Sequence, residues 1–364
     1  MAPSASAAAD PPLTGVRVLE LAGLGPVSFA GMMLADLGAR VLRVDRPEPP
    51  AVPAEARRRV DVLGRGKQSV VLDLRAPGAA DALLDLVASC DVLIEGYRPG
   101  VTERLGVGPG PCHERNPALV YVRLTGYGQA GPLAQEVGHD LNILAVSGVL
   151  DEVGRAGQAP TPPLNLVADY GGGGMLAVVG ALAALTDARR TGRGRVVDAA
   201  MCDGAMLLAS ATYAFDPPGP RGTNLLDSGA PFYEVYETSD GQHVAVGALL
   251  DPFWRALLEV LGRADDPRWR DRRAADWPAL KSELREIFAG RTRAEWVAAF
   301  AGTTACVSPV LRRDELADFP HHAARRALIE VDGVPVPAPA PRFGPGAGSA
   351  VGAQGGEESA EASG

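Results

Sequence analysis

The chain has 364 residues, enough for two domains or one large one with a sizeable core. Hydrophobic residues make up 46% and charged residues 22%, the composition of an ordinary soluble globular protein. With 35 Lys and Arg against 44 Asp and Glu the formal net charge is −9, which argues against nucleic acid or an anionic membrane as partner and requires cations to be gathered locally for any phosphorylated ligand.

Residues 1–12 are rich in Ala, Ser and Pro and lack the basic start and apolar core of a signal peptide, so they read as a disordered lead-in. Val16 to Leu21 alternates and ends in Gly23-Leu24-Gly25-Pro26, a strand followed by a tight turn. Val27 to Leu37 has helical spacing and stops at Gly38, and Ala39 to Val44 is a second strand. This βαβ unit predicts a parallel sheet. The position of the third glycine in a dinucleotide fingerprint is Ser28, so no NAD site is expected. Ser69 to Leu74 (strand), Ala79 to Ala88 (helix) and Asp91 to Glu95 (strand) repeat the pattern, and Leu119 to Leu124 adds another strand. Gly171 to Leu185 is Ala- and Gly-rich, and its length of about 15 residues suits a buried helix better than a membrane span of about 20.

After Gly219 to Gly222 the texture changes. Phe232 to Tyr236, the Asp240-Gly241 turn and His243 to Val246 predict a hairpin, with helices at Asp251 to Leu261, Trp277 to Phe288 and Arg293 to Phe300. The expected architecture is α/β: a large doubly wound domain over 13–222, a smaller α+β domain over 223–328, a return segment over 329–344 and a disordered tail over 345–364. Cys90, Cys112, Cys202 and Cys306 are scattered with no CxxC pair, which fits a reducing, cytoplasmic setting rather than a disulfide framework or zinc site.

Two segments carry the chemistry. Gly138-His139-Asp140 offers a histidine, the natural general base near neutral pH if it faces a pocket and otherwise a structural residue. Asn165 to Asp169 offers a carboxylate directly before Tyr170 and four glycines, Gly171 to Gly174. Asp169 is either an acid/base group or merely the N-cap of the following helix. The glycines would let amides and a helix N-terminus approach a developing negative charge. Asn165 could hydrogen-bond either group or the ligand. A histidine and a carboxylate on opposite sides of one carbon could take a proton from one face and return it to the other.

Three cationic clusters fall at strand ends: Arg43 with Arg46, Arg65 and Lys67 with Arg75, and Tyr97-Arg98 with Arg104. Each alone could be solvated surface charge; as a set they suit a multiply phosphorylated ligand.

The ordered words of the chain resemble the class III CoA-transferase superfamily, and within it the α-methylacyl-CoA racemase branch. They include Leu13 to Leu21, Asp36 to Ala39, Asp45-Arg46-Pro47, Arg65 to Ser69, Asp73 to Arg75, Asp91 to Gly100, Thr125 to Gly128, Gly138 to Asp140, Asn165 to Asp169, Val197 to Met201 and Ala305 to Leu311. The resemblance implies a Rossmann-like large domain, a small domain and an interlocked homodimer with the active site between subunits. It implies an acyl-CoA thioester as substrate, with coenzyme A as part of that substrate and no prosthetic group or metal. Arg46, Leu72, Asp73, Leu74, Arg75, Gly96, Tyr97, Arg98, Arg104 and Gly138 through Asp140 to Ile143 fall on CoA-contacting positions, with Lys67 nearby. His139 and Asp169 fall on the racemase acid/base pair, with an enolate between them; in the transferase branch the carboxylate is instead the acyl-carrying nucleophile. One departure stands out: the small-domain glutamate usual in this branch falls on Leu250, next to Asp251, whose position before Pro252 suits the start of a helix. A CoA-transferase and a specialised acyl-CoA isomerase are the alternatives.

Overall fold

The computed structural model describes residues 10–23, 25–47, 60–214 and 219–343. Most of the lead-in and the whole of the tail expected to be disordered lie outside them.

Six strands form one parallel sheet: β1 (Arg17–Leu21), β2 (Arg40–Asp45), β3 (Lys67–Val71), β4 (Val92–Glu95), β5 (Val120–Thr125) and β6 (Val196–Ala200). Their order is β3-β2-β1-β4-β5-β6. The chain winds outward from β1 in one direction and then returns to build from β4 in the other, so a crevice opens between the carboxyl ends of β1 and β4. β4 and β5 are buried along their whole length, as central parallel strands require. β3 lies two to three residues earlier than expected. It pairs with β2 from Val41↔Lys67 to Asp45↔Val71, and the turn in which Ala76 N–H bonds the Asp73 carbonyl then diverts the chain. As a largely exposed edge strand it carries little periodic signal.

Helices cover both faces. α1 (Pro26–Asp36), α2 (Ala79–Val87), α3 (Val101–Arg104), α4 (Pro109–Arg115), α5 (Asp140–Val146) and α6 (Val149–Glu152) precede a π-helix over Leu166–Met175, which runs directly into α7 (Leu176–Thr191); α8 (Met201–Leu208) follows β6. The helix expected at Gly171 thus begins five residues earlier. Its 26 residues are long and apolar enough to cross a bilayer by composition, yet Ala177, Val178, Ala181, Ala184, Leu185 and Ala188 are buried in the core of the large domain.

The glycine run has a packing role. A Cβ on Gly172 would lie 2.7 Å from the Ala205 nitrogen, and one on Gly204 would lie 1.9 Å from the Gly172 carbonyl oxygen. The π-helix and α8 therefore meet backbone to backbone. A Cβ on Gly174 would reach within 2.6 Å of the Phe29 ring. This corrects the expectation that these glycines free amides at a helix N-terminus, because they sit inside a continuous helix.

The second body holds β7 (Tyr233–Glu237), β8 (His243–Gly247) and β9 (Val307–Pro309) in one antiparallel sheet. With it are α9 (Asp251–Leu261), α10 (Pro267–Asp271), α11 (Trp277–Phe288) and α12 (Arg293–Phe300). Its core is aromatic, with Trp254, Trp269, Trp296, Tyr236 and Phe288. The hairpin and the three longer helices match the sequence reading. α13 (Pro320–Arg325) leads to the hairpin β10 (Leu328–Val331) and β11 (Val334–Pro337), whose Pro337 carbonyl accepts from Arg65 Nη1 at 2.7 Å.

Candidate active site

A cavity of about 780 Å³ opens at the carboxyl ends of the sheet. Ala22 and Gly23 after β1, Arg46 after β2, Gly96 to Pro99 after β4 and Thr125 to Tyr127 at the end of β5 form its walls, with Pro26 and Val27 of α1, Met201 of α8, Val137 to His139, and Asp169. The switch-point crevice of the sheet is thus where the sequence-selected histidine and carboxylate meet.

His139 stands immediately before α5. Its backbone N–H donates to the Asn142 side-chain oxygen at 3.2 Å, which fixes the entry of the chain into the helix. Asp140, the next residue, is buried, and one of its carboxylate oxygens accepts the backbone N–H groups of both Ala168 and Asp169, each at 2.8 Å. Asp140 therefore staples the histidine segment to the π-helix that carries Asp169. It was expected among the CoA contacts; the structure gives its side chain this internal task instead.

Asp169 lies inside the first turn of the π-helix, which corrects the N-cap alternative. Asn165 Nδ2 donates to its carboxylate at 3.3 Å. The carboxylate also lies against Gly25, where an added Cβ would be 3.2 Å from it. Gly25 has φ +36°, a conformation few other residues adopt, and occupies the cap position of α1, so the N-terminus of that helix lies beside Asp169. Burial nevertheless pushes the Asp169 carboxyl above the usual range, helped by the neighbouring Asp140 charge and opposed by Asn165 and His139.

The cations separate into two sets. Arg46 lies over the Tyr97 ring at 5.1 Å, and neither Arg46 nor Arg98 forms an ion pair among the described residues. Their guanidinium groups are available to phosphate. Arg43 also reaches the cavity but is held by Asp45 at 3.0 Å and Asp61 at 2.9 Å. Arg65 is bound to Asp36 at 2.5 Å. Lys67 corrects its assignment to the ligand most clearly: it is 2% exposed and donates to Glu20 at 2.6 Å and to the Ser28 carbonyl at 2.8 Å beneath α1. Leu72, Asp73, Leu74 and Arg75 lie on the turn after β3, and Arg104 is exposed on α3; none of these five is on the cavity wall.

In the smaller body Leu250 is 61% exposed and occupies the cap position of α9. Asp251 is the first helical residue, makes no capping bond and is paired with Arg272. Sequence reasoning gave no role to Tyr127, a cavity residue whose hydroxyl abuts Gly138, where a Cβ would lie 2.4 Å from it. The Thr125 to Gly128 word was the only signal.

The CoA-transferase family III model matches residues 13–352. The chain belongs to that family. It is 45% identical over 334 residues to the alpha-methylacyl-CoA racemase of Homo sapiens, an alignment covering 90% of this chain and 86% of that one. An acetyl-CoA:oxalate CoA-transferase of Acetobacter aceti is 32% identical over 345 residues, covering 90% and 87%. Among solved structures, a CAIB/BAIF family protein from Brucella suis superposes with a TM-score of 0.77 at 26% identity, covering 93% of this chain and 94% of that one.

Proposed function

We propose that the protein is an acyl-CoA racemase or epimerase that inverts the C2 stereocentre of a 2-methylacyl-CoA. The observation that carries the reading is one cavity walled by both His139 and Asp169, together with Arg46 and Arg98, which form no ion pair among the described residues. The thioester carbonyl acidifies the hydrogen at C2. One of the two residues removes it as a proton, the electron pair delocalises onto the thioester oxygen as an enolate, and the other residue, arriving protonated, delivers a proton to the opposite face. A carboxyl held above its usual range by burial is better matched to receive and return such a proton. The racemase likeness at 45% identity adds to this. Arg46 and Arg98 hold the phosphates of coenzyme A, which is part of the substrate.

The site is completed in a homodimer. Leu164, Leu166, Met175, Val179, Leu207 and Leu208, on and around the π-helix, α7 and α8, are large apolar residues left exposed, a concentration that suits burial against a second copy.

The test is incubation with a 2-methylacyl-CoA in D₂O, read by mass spectrometry and NMR at C2. Deuterium at C2 with loss of configuration is expected, and its loss in His139→Ala and Asp169→Ala assigns the bases. A folded chain that binds coenzyme A but exchanges no proton with any of several acyl-CoAs would overturn the reading. The alternative, a CoA-transferase with Asp169 as nucleophile, is favoured by that carboxylate standing on the cavity wall and by the transferase likeness. Hydroxylamine trapping of an Asp169 adduct distinguishes it. A specialised acyl-CoA isomerase, suggested by Leu250, would leave simple 2-methylacyl-CoAs unexchanged and carry the enolate of its own substrate to another product, such as one with a migrated double bond.

A further inference from the structure

We propose that Glu95, Arg123 and Glu103 form a positioning relay for the coenzyme A handle, holding the Tyr97 peptide so that Tyr97 and Arg98 are presented to the cavity beside Arg46. The proposal rests on the acyl-CoA reading and concerns residues that the reaction itself does not use.

Glu95 ends β4 and is fully buried. One of its oxygens accepts the Tyr97 N–H at 2.6 Å, and the other accepts Arg123 Nε at 3.0 Å. Arg123, on neighbouring β5, directs its two remaining nitrogens to Glu103 on α3 at 2.7 and 3.2 Å. One guanidinium thus ties together β5, the end of β4 and the helix that follows the 96–100 loop. That loop supplies Gly96, Tyr97, Arg98 and Pro99 to the cavity wall. It has little slack, because a Cβ at Gly96 would lie 2.6 Å from the Val27 side chain of α1. Gln135 Nε2 donates to the Pro99 carbonyl at 3.2 Å, linking the loop to the segment that leads into His139.

Burying a carboxylate and a guanidinium is costly, and a pair that ends on one specific peptide of a binding loop is better explained by geometry than by stability. Burial holds the Glu95 carboxyl up at about 7, against the opposing pull of the Tyr97 N–H and Arg123, with Glu103 raising it further. The groups acting on Glu95 are therefore Arg123 and Tyr121 from β5, Glu103 from α3 and the Tyr97 peptide. Because the value is raised, the anion is lost as pH falls through about 7. The Tyr97 peptide then loses its charged acceptor and the loop loosens, so affinity for coenzyme A falls on the acid side.

The experiment is calorimetric titration of the full chain with coenzyme A between pH 6 and 8. Dephospho-coenzyme A is run alongside, because a phosphate monoester itself titrates near about 6. The wild-type chain is expected to lose about three- to tenfold in affinity for both ligands across that range. Glu95→Gln offers one acceptor where two are needed; it binds about tenfold more weakly at pH 8 and shows no pH dependence toward dephospho-coenzyme A. Glu103→Gln changes a half-exposed side chain that tolerates replacement. It removes a negative neighbour and leaves Arg123 to Glu95, so the acid-side loss moves to lower pH. A purely structural network would lower the melting temperature without moving that midpoint. Superimposable profiles for wild type and Glu103→Gln, or a folded Glu95→Gln that binds as tightly as wild type, would overturn the proposal. Absence of coenzyme A binding by the wild type at every pH would sink the acyl-CoA reading itself and the relay with it.

Discussion

Lys67→Met is the sharpest test of which cations belong to the ligand. The ammonium is 2% exposed and lies 2.6 Å from the fully buried Glu20 carboxylate, with α1 packed directly above; a Cβ on Gly31 would lie 1.9 Å from Glu20. Desolvation pushes the Glu20 carboxyl up and the Lys67 ammonium down, so each charge depends on the other. Among the described residues, methionine leaves Glu20 one hydrogen bond, from the Ser28 hydroxyl at 3.3 Å, with the Arg43 charge beyond it, and takes a donor from the Ser28 carbonyl. Removing one member of a buried pair costs about 3–5 kcal/mol, whereas removing both is often nearly neutral. The expected outcome is a loss of about that size in Lys67→Met and recovery of most of it in Lys67→Met/Glu20→Gln, a coupling that a double-mutant cycle isolates. Guanidinium denaturation should be followed by far-ultraviolet circular dichroism, because all four tryptophans (Trp254, Trp269, Trp277 and Trp296) lie in the smaller body and would not report on the sheet. The folded double variant should bind coenzyme A within about twofold of wild type, since the ammonium does not reach the cavity. A single-variant loss below about 1 kcal/mol, or a tenfold weaker affinity in the double variant, would refute the reasoning.

Three further outcomes follow from the site and its supports. Because burial raises the Asp169 carboxyl, the folded chain holds more protons than the unfolded one just above the ordinary Asp value of about 3.9, and its stability falls as pH rises through that window. Asp169→Asn should therefore melt higher than wild type at pH 7, with the gap closing below that value; an equal or lower melting point at pH 7 contradicts the assignment. Gly204→Ala forces a methyl 1.9 Å from the Gly172 carbonyl and should cost about 3 kcal/mol or more, whereas Gly110→Ala in α4, with open space around it, should be neutral or stabilising by about 1 kcal/mol; similar melting shifts for the two would count against backbone contact between the π-helix and α8. Leu207 and Leu208 are 62% and 59% exposed on α8. Wild type should run as a dimer in light scattering and Leu207→Asp/Leu208→Asp as a monomer; a monomeric wild type would overturn the proposed dimer, and a dimer persisting in the variant would remove these residues from the interface.

Much of the fold was legible because its signals are local. Alternation and helical spacing located the five parallel strands that it named to within a few residues, and three helices of the smaller body from their first residue to their last. β3 was misplaced because an exposed edge strand has no buried face to impose a period. The early start of the π-helix was missed because Asn165, which occupies its cap position, makes no capping bond and was read as a partner of the site, and a polar carboxylate ahead of four glycines reads as a boundary. His139 and Asp169 were found from residue type and neighbours, and both line the same cavity.

The sequence by itself determined the family, the parallel sheet and the two residues able to move protons, since each depends on residue types at short spacing. Tertiary structure alone decided which charges are free. Lys67 meets Glu20 across 47 residues, Arg65 meets Asp36 across 29, and Asp140 reaches the Asp169 peptide across 29, while Arg46 and Arg98 form no such ion pair among the described residues. A side chain's charge is written in the sequence, but whether another charge neutralises it depends on which strands and helices end side by side.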